Sequence, residues 1–204
     1  VSFDSIAPIY GTLERLVFGD ILQRARTAFI EDLDDCSSAL IAGEGDGRFL
    51  AALLAANLNI ETACIEQSAR MIQLARRRIG DSARVQFINS DLARAALARP
   101  YDAIVTNFFL DCFDDAELAR VIEKLANHAR PEAKWLIADF TTVPRGKLLV
   151  AAMYAFFRLT TRISAGGLIS YAPLLEQQGF RCSKHHEFFG GIVRAELWQR
   201  GIPP

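Results

Sequence analysis

Histidine is scarce in this chain, with 3 in 204 residues, and the 4 cysteines, Cys36, Cys64, Cys112 and Cys182, are scattered with no CxxC pair. That spacing argues against a zinc site or a disulfide framework and suits buried thiols in a reducing cytoplasm. His185 and His186 are adjacent, and neighbouring side chains on a strand point to opposite faces, so a surface pair is expected rather than a chelate. Charge of one sign is also missing. Lys plus Arg number 23 against 24 for Asp plus Glu, a formal net charge of −1, which supplies no global field for nucleic acid or an anionic membrane. Long hydrophobic runs are absent too. The longest, Leu148 to Phe157, stops at Arg158, far short of the ~20 residues that span a bilayer, and is expected to be a buried helix. The residues from Val1 onward show no signal-peptide pattern, and no repeat or low-complexity tract is visible.

What is present describes an ordinary globular protein: 51% of residues are hydrophobic and 23% charged, in a length that suits one domain with a substantial core. From Cys36 to Phe140 short apolar runs alternate with helical patterns. Strands are expected at Ser38 to Ala42, Thr62 to Glu66, Val85 to Asn89, Tyr101 to Phe108 and Lys134 to Phe140. Helices are expected at Arg48 to Leu58, over "SARMIQLARRRIG", briefly near Leu92 to Leu97, and at Asp114 to Ala129 before an Arg130-Pro131 stop. The rhythm is that of an α/β, doubly wound parallel sheet with helices on both faces. Such sheets bind ligands beyond the carboxyl ends of their strands, so Gly43 to Gly47, Glu66, Asp91 and Asn107 to Phe109 should gather on one rim.

Residues 1–35 form a helical cap in this reading, with a helix over Leu13 to Leu33. Residues 36–140 are the ligand-binding core and residues 141–169 a helical cover. Residues 170–204 hold a helix ending at Gly179 and two antiparallel strands joined through Gly190-Gly191.

The stretch "ALIAGEGDGRFL" sets three glycines behind a strand and two acids, Glu44 and Asp46, between them. Glycine lets a ligand approach the backbone, but two phosphate-binding patterns fail on spacing. The dinucleotide fingerprint GxGxxG would need glycine where Arg48 stands, and no Gly-Lys-Ser/Thr triplet follows as a P-loop requires. The two acids would repel a pyrophosphate and would accept a ligand carrying ammonium and sulfonium cations, such as S-adenosylmethionine. Glu66, ending the second strand, stands where an acid can take both ribose hydroxyls. Asp91, after the third strand, can receive the adenine amino group or cap the next turn.

On these residues the chain resembles the class I S-adenosylmethionine-dependent methyltransferases. "ALIAGEGDG" stands at motif I, "CIEQSARM" at the acidic position after it, "VQFINSD" at motif II and "YDAIVTNFFLDCF" at motif IV. The opening "FDSIAPIYG" is similar to the start of the ubiquinone/menaquinone biosynthesis methyltransferases and their small-molecule relatives. The resemblance implies a Rossmann-like sheet of seven strands, mostly parallel with an antiparallel C-terminal strand. It also implies a set of cofactor contacts: Tyr10 near the methionine part, backbone at Gly43, Gly45 and Gly47 facing methionine and ribose, and Glu66 on the ribose hydroxyls. Gln67 or Met71 would face the adenine ring, Asp91 and Leu92 its edge, and Asn107 and Phe108 the methionine. S-adenosylhomocysteine would be the product. One departure is that Ile41 occupies the position, two before the first glycine, where the family usually carries an acid. Glu44 is placed to compensate.

Methyl transfer is an in-line displacement that rests on positioning, so the lack of a catalytic triad does not argue against it. An oxygen acceptor must lose a proton, and Asp111 is the candidate base, with Tyr10, His185 and His186 behind it. Asp111 could equally cap the helix that begins at "DDAEL". Phe108, Phe109, Phe113, Tyr154, Phe156, Phe157 and Tyr171 suggest a pocket for a small apolar or aromatic molecule, or simply core packing. Arg158 and Arg162 share a helix face that is either solvated or turned to an acidic group. Nucleic acid is disfavoured as the acceptor, because "NFFL" replaces the Pro-Pro-Tyr type of motif used on flipped bases. An NAD(P)-dependent oxidoreductase and a non-catalytic methyltransferase-like binding protein remain as alternatives, and a homodimer is compatible with the sequence.

Overall fold

The structure, a computed structural model, describes residues 20–141 and 170–201. Tyr10, the first part of the Leu13 to Leu33 stretch, and the apolar Leu148 to Phe157 helix with Tyr154, Arg158 and Arg162 lie outside the described residues.

Seven strands form one sheet: β1 (Ser38–Ala42), β2 (Glu61–Glu66), β3 (Val85–Asn89), β4 (Tyr101–Asn107), β5 (Ala129–Phe140), β6 (Phe180–Phe188) and β7 (Val193–Arg200). Their order is β3-β2-β1-β4-β5-β7-β6. The first five are mutually parallel, and β7 runs antiparallel to both β5 and β6. The expected seven-stranded doubly wound sheet with an antiparallel C-terminal strand is therefore present. The order reverses between β1 and its two neighbours, which opens a crevice at their carboxyl ends.

The described helices are α1 (Ile21–Arg26), α2 (Arg48–Ala56), α3 (Ala69–Ile79), α4 (Asp115–Ala126) and α5 (Ala172–Gln177). Every residue of β1 is buried, as a central strand covered on both faces requires. Leu40, Ile104, Trp135 and Ile137 pack on one side with Leu118 and Ile122 of α4. Ile41, Val105 and Leu136 pack on the other with Phe49, Leu50 and Leu53 of α2. Trp135 Nε1 donates to Thr106 Oγ1 at 2.9 Å, which satisfies a polar pair inside the first core.

Four expectations change. The short helix near Leu92 to Leu97 is a single turn held by Ala95 N donating to Asp91 O at 3.0 Å, too few residues to propagate a helix. Helix α4 ends at Ala126, and β5 begins at Ala129 and runs through Pro131. Its extra residues are absorbed by a register shift opposite Tyr101 and Ala103 and by Glu132 at φ 63°, the signature of a bulge. The helical stretch before Leu33 is broken: α1 stops at Arg26, and a separate 3-10 turn covers Ile30–Leu33. Cys36 and Cys64 are buried as expected, but Cys112 is half-buried and Cys182 is exposed. The cause lies in β6, an edge strand whose residues between Phe180 and Phe188 are all exposed, which also leaves His185 and His186 on the surface as expected.

Candidate active site

Three glycines shape the loop between β1 and α2, each for its own reason. All have positive φ: 74° at Gly43, 68° at Gly45 and 84° at Gly47, a region costly for other residues. A Cβ on Gly43 would meet Phe109 Cδ2 at 2.4 Å, and one on Gly47 would meet the Ala75 Cα of α3 at 2.7 Å. At Gly45 nothing lies within 4 Å. The outer glycines thus let an aromatic ring and a helix pack on the loop, and the middle one leaves its backbone open to the cleft.

Several polar groups of this loop are engaged within the protein. Gly43 N donates to Ile65 O at 2.9 Å. Gly45 N donates to Glu66 Oε2 at 3.0 Å, and the other oxygen of Glu66 accepts from Ser68 N at 2.8 Å. Helix α2 begins on Gly47, which has no side chain to cap it, and Glu44 supplies that cap: its Oε1 accepts from Leu50 N at 2.9 Å. Glu44 Oε2 is buried with no hydrogen-bond partner, and burial pushes the carboxyl up to about 8. Asp46, also on the cleft wall, holds Arg48 Nε and Arg78 Nη2, each at 3.0 Å.

These groups line a cleft of about 740 Å³, a volume usual for small-molecule sites. Gly43, Glu44, Gly45, Glu66, Gln67, Met71, Asp91, Leu92, Asn107 and Phe108, all anticipated from the sequence, line it together. Gly47 does not, because it is pressed against α3. Asp111 sits on a 3-10 turn, Leu110–Cys112, and its neighbour Cys112 rather than Asp111 lines the cleft. Asp91 caps its own turn, accepting from Arg94 N at 2.9 Å, while Leu92 is 5% exposed and faces the first core. Lys124 of α4 donates to Ala93 O at 2.9 Å and Ala95 O at 2.8 Å, closing that wall.

Three further residues that the sequence did not single out bear on this region, of which only Arg26 lines the cleft. Asn89 Nδ2 donates to the carbonyls of Glu66 and Gln67, both at 3.0 Å, and so fixes the end of β2. Arg26 of α1 lines the cleft with its guanidinium 4.8 Å from the Phe108 ring centroid, and its charge acts on Glu44. Asp139, at the end of β5, is 2% exposed with Oδ2 unpartnered. Its signal was present in "LIADF", an acid inside an otherwise apolar strand.

The arrangement discriminates between ligand classes. A pyrophosphate at the α2 N-terminus needs open backbone N–H groups, and here two of them, Gly45 N and Leu50 N, are committed to the carboxyl groups of Glu66 and Glu44. Residues 40–135 match the family description of a methyltransferase domain. The match takes in the glycine loop and strands β2, β3 and β4. The chain is similar to a ubiquinone/menaquinone biosynthesis C-methyltransferase of Syntrophotalea carbinolica, at 26% identity over 98% of this chain and 93% of the relative. Among solved structures it is similar to a mitomycin 7-O-methyltransferase, with a TM-score of 0.71 at 22% identity over 98% of this chain and 61% of that one. It is also similar to human N-acetylserotonin methyltransferase in complex with S-adenosylmethionine, with a TM-score of 0.70 at 18% identity over 97% of this chain and 56% of that one. At such identities the structural likeness speaks for the fold, and the chain spans about three fifths of the length of those two enzymes. Within the methyltransferase fold the cleft of this chain lies at the carboxyl ends of β1, β2 and β4. Among the described residues no group of three or more His, Cys, Asp or Glu side chains is arranged to hold a metal ion, and no helix is long and apolar enough to cross a membrane.

Proposed function

We propose that the protein transfers the methyl group of S-adenosylmethionine to a small apolar or aromatic acceptor. The observation that carries this reading is the pairing of Gly45 N with Glu66 and of Leu50 N with Glu44. It occupies two donors that a phosphate would use and sets carboxyl groups where a cationic ligand is favoured. In this reading Glu66 takes the ribose hydroxyls, and Gln67, Met71, Asp91 and Leu92 surround the adenine. Glu44 faces the cationic methionine end in place of the acid that Ile41 displaces, and Arg26 takes the methionine carboxylate. Phe108, Phe109 and Phe113 form the aromatic wall on the acceptor side. Asp111 accepts the proton that an oxygen acceptor loses. The mitomycin and N-acetylserotonin methyltransferases named above act on small molecules, which supports that acceptor class over nucleic acid.

Thermal unfolding with S-adenosylmethionine, S-adenosylhomocysteine, NAD and NADP added separately tests the reading. A ligand at 100 times its Kd stabilises by about 2.7 kcal/mol, a shift of roughly 5–10 °C for a chain of this size. The first two ligands are expected to produce it. A shift with NAD or NADP alone would overturn the reading.

A further inference from the structure

The connection from β3 to β4 crosses β2 and β1 without a helix: residues 90–100 hold only the turn that begins at Asp91. The first turns of α4 therefore stay open on that side. The cleft continues past the glycine loop to α4, where Glu117, Arg120, Val121 and Lys124 line it, and their spacing sets all four on one face of the helix. Two aromatic rings link the glycine loop to this end. The Phe109 ring lies against Gly43, and its centroid is 5.0 Å from that of Phe113 in an edge-to-face pair at 75°. Phe113 and Val121 pack on the first core as well as lining the cleft, which gives its α4 end an apolar wall.

Most of the polar groups at this end are committed. Lys124 Nζ is spent on the carbonyls of Ala93 and Ala95. Asp91 accepts from Arg94 N and lies 3.5 Å from Arg94 Nε. Cys112 is a neutral thiol, held up by burial and by Asp111 and Asp139. Arg120 differs. Its Nε donates to Ala116 O at 3.2 Å, one turn back along α4, and among the described residues no acceptor meets its two terminal nitrogens. Glu117 precedes it by three residues on the same face, yet among the described residues no ion pair joins the two. The arginines of α3 are exposed too, but none of them lines the cleft. Arg120 is set apart by standing at the end of an apolar wall inside it.

We propose that the α4 end of the cleft is the acceptor subsite and that Arg120 selects what enters it: a small aromatic acid whose ring lies on Phe113 and Val121 and whose carboxylate takes the two terminal nitrogens of Arg120. A guanidinium fork matches a carboxylate in shape as well as in charge. Glu117 opposes it and limits how tightly an anion is held. The inference rests on the methyltransferase reading and narrows its acceptor from apolar or aromatic molecules in general to those that carry an acidic group.

The test is calorimetric titration of the protein saturated with S-adenosylhomocysteine, using 2-naphthoate and its neutral counterpart 2-naphthamide, on the wild type, Arg120→Gln, Arg120→Lys and Glu117→Gln. The wild type is expected to bind the acid roughly tenfold more tightly than the amide. Arg120→Gln should make the two equal, Arg120→Lys should keep part of the difference, and Glu117→Gln should widen it. Both positions are exposed on the helix, so unfolding midpoints and S-adenosylhomocysteine affinity should match the wild type in every variant. Equal binding of the two probes by the wild type, binding of neither, or a preference untouched by Arg120→Gln overturns the proposal and leaves the cofactor reading intact. A wild type that fails to bind S-adenosylhomocysteine sinks the cofactor reading instead, and the same titration of the unloaded protein then decides whether Arg120 holds an acid.

Discussion

Glu66 Oε2 accepts the N–H of Gly45 at 3.0 Å, so the carboxylate that ends β2 ties down the loop that ends β1. One side chain therefore shapes the loop and, in the function proposed above, also takes the ribose hydroxyls. Replacing Glu66 by Ala removes both roles and leaves Gly45 N and Ser68 N without their acceptor. Stability is expected to fall by about 1–3 kcal/mol, the usual cost of stranding buried donors, and S-adenosylmethionine affinity by at least tenfold. Urea unfolding and calorimetric titration check the two effects separately.

Glu44 makes cofactor binding depend on pH. Its carboxyl is raised from 4.5 to about 8 by burial, so at neutral pH the empty site holds it protonated, and a bound cation favours its ionised form. Affinity for S-adenosylmethionine is expected to rise between pH 6 and about 8 and then level off, with proton release on binding. Stability runs the other way. The folded state holds a proton that the unfolded chain gives up above about 4.5, so the free protein loses stability as pH rises from there through about 8, by about 1.4 kcal/mol per unit at most. Glu44→Gln should flatten both curves and weaken binding at pH 8. Titration calorimetry in buffers of different ionisation heat reads the proton directly.

The three loop glycines should separate on substitution by alanine. Gly43→Ala drives a methyl into Phe109, and Gly47→Ala drives one into the backbone of α3, in addition to backbone strain of about 1–3 kcal/mol in each. Both are expected to unfold at clearly lower denaturant. Gly45→Ala carries only the strain, because the space around it is open, and its loss should appear mainly in ligand affinity. Denaturant midpoints and cofactor Kd values for the three variants, measured together, give the ordering.

Arg26 tests where the methionine end of the proposed ligand lies. Arg26→Ala is expected to weaken S-adenosylmethionine and S-adenosylhomocysteine by roughly tenfold, about 1.4 kcal/mol, and to leave 5′-methylthioadenosine, which lacks the amino-acid group, unchanged. Equal losses for all three would place Arg26 on the adenosine side or assign it to packing on Phe108.

Much of this was legible because the pattern was local. Ser38–Ala42 and Val85–Asn89 are strands at the bounds their apolar runs suggested, and Ser68 and Asp114 cap their helices as their positions before apolar periodicity imply. The errors sit where tertiary pairing overrides local rules. Pro131 was read as a break, yet β5 passes through it because β4 offers a partner at Tyr101 and a bulge absorbs the mismatch. Glu44 was expected in the glycine loop as a ligand contact, and its capping role was not legible, since reaching a backbone N–H six residues on depends on how the loop folds back. Arg26 and Asp139 come from distant parts of the chain, and no spacing rule connects either to the glycine loop.

The strand order has a consequence for how the molecule is made. Strand β7 follows β6 in the chain yet lies between β5 and β6, paired with β5 from Lys134 to Phe140 and with β6 along its whole length. Until that segment has left the ribosome, β6 has no neighbour and the β5 edge, with Trp135 and Ile137 on it, stays open. The sheet is therefore closed by the last of its described strands to be made, and termination between Phe188 and Val193 would leave two strands unpaired to it rather than one.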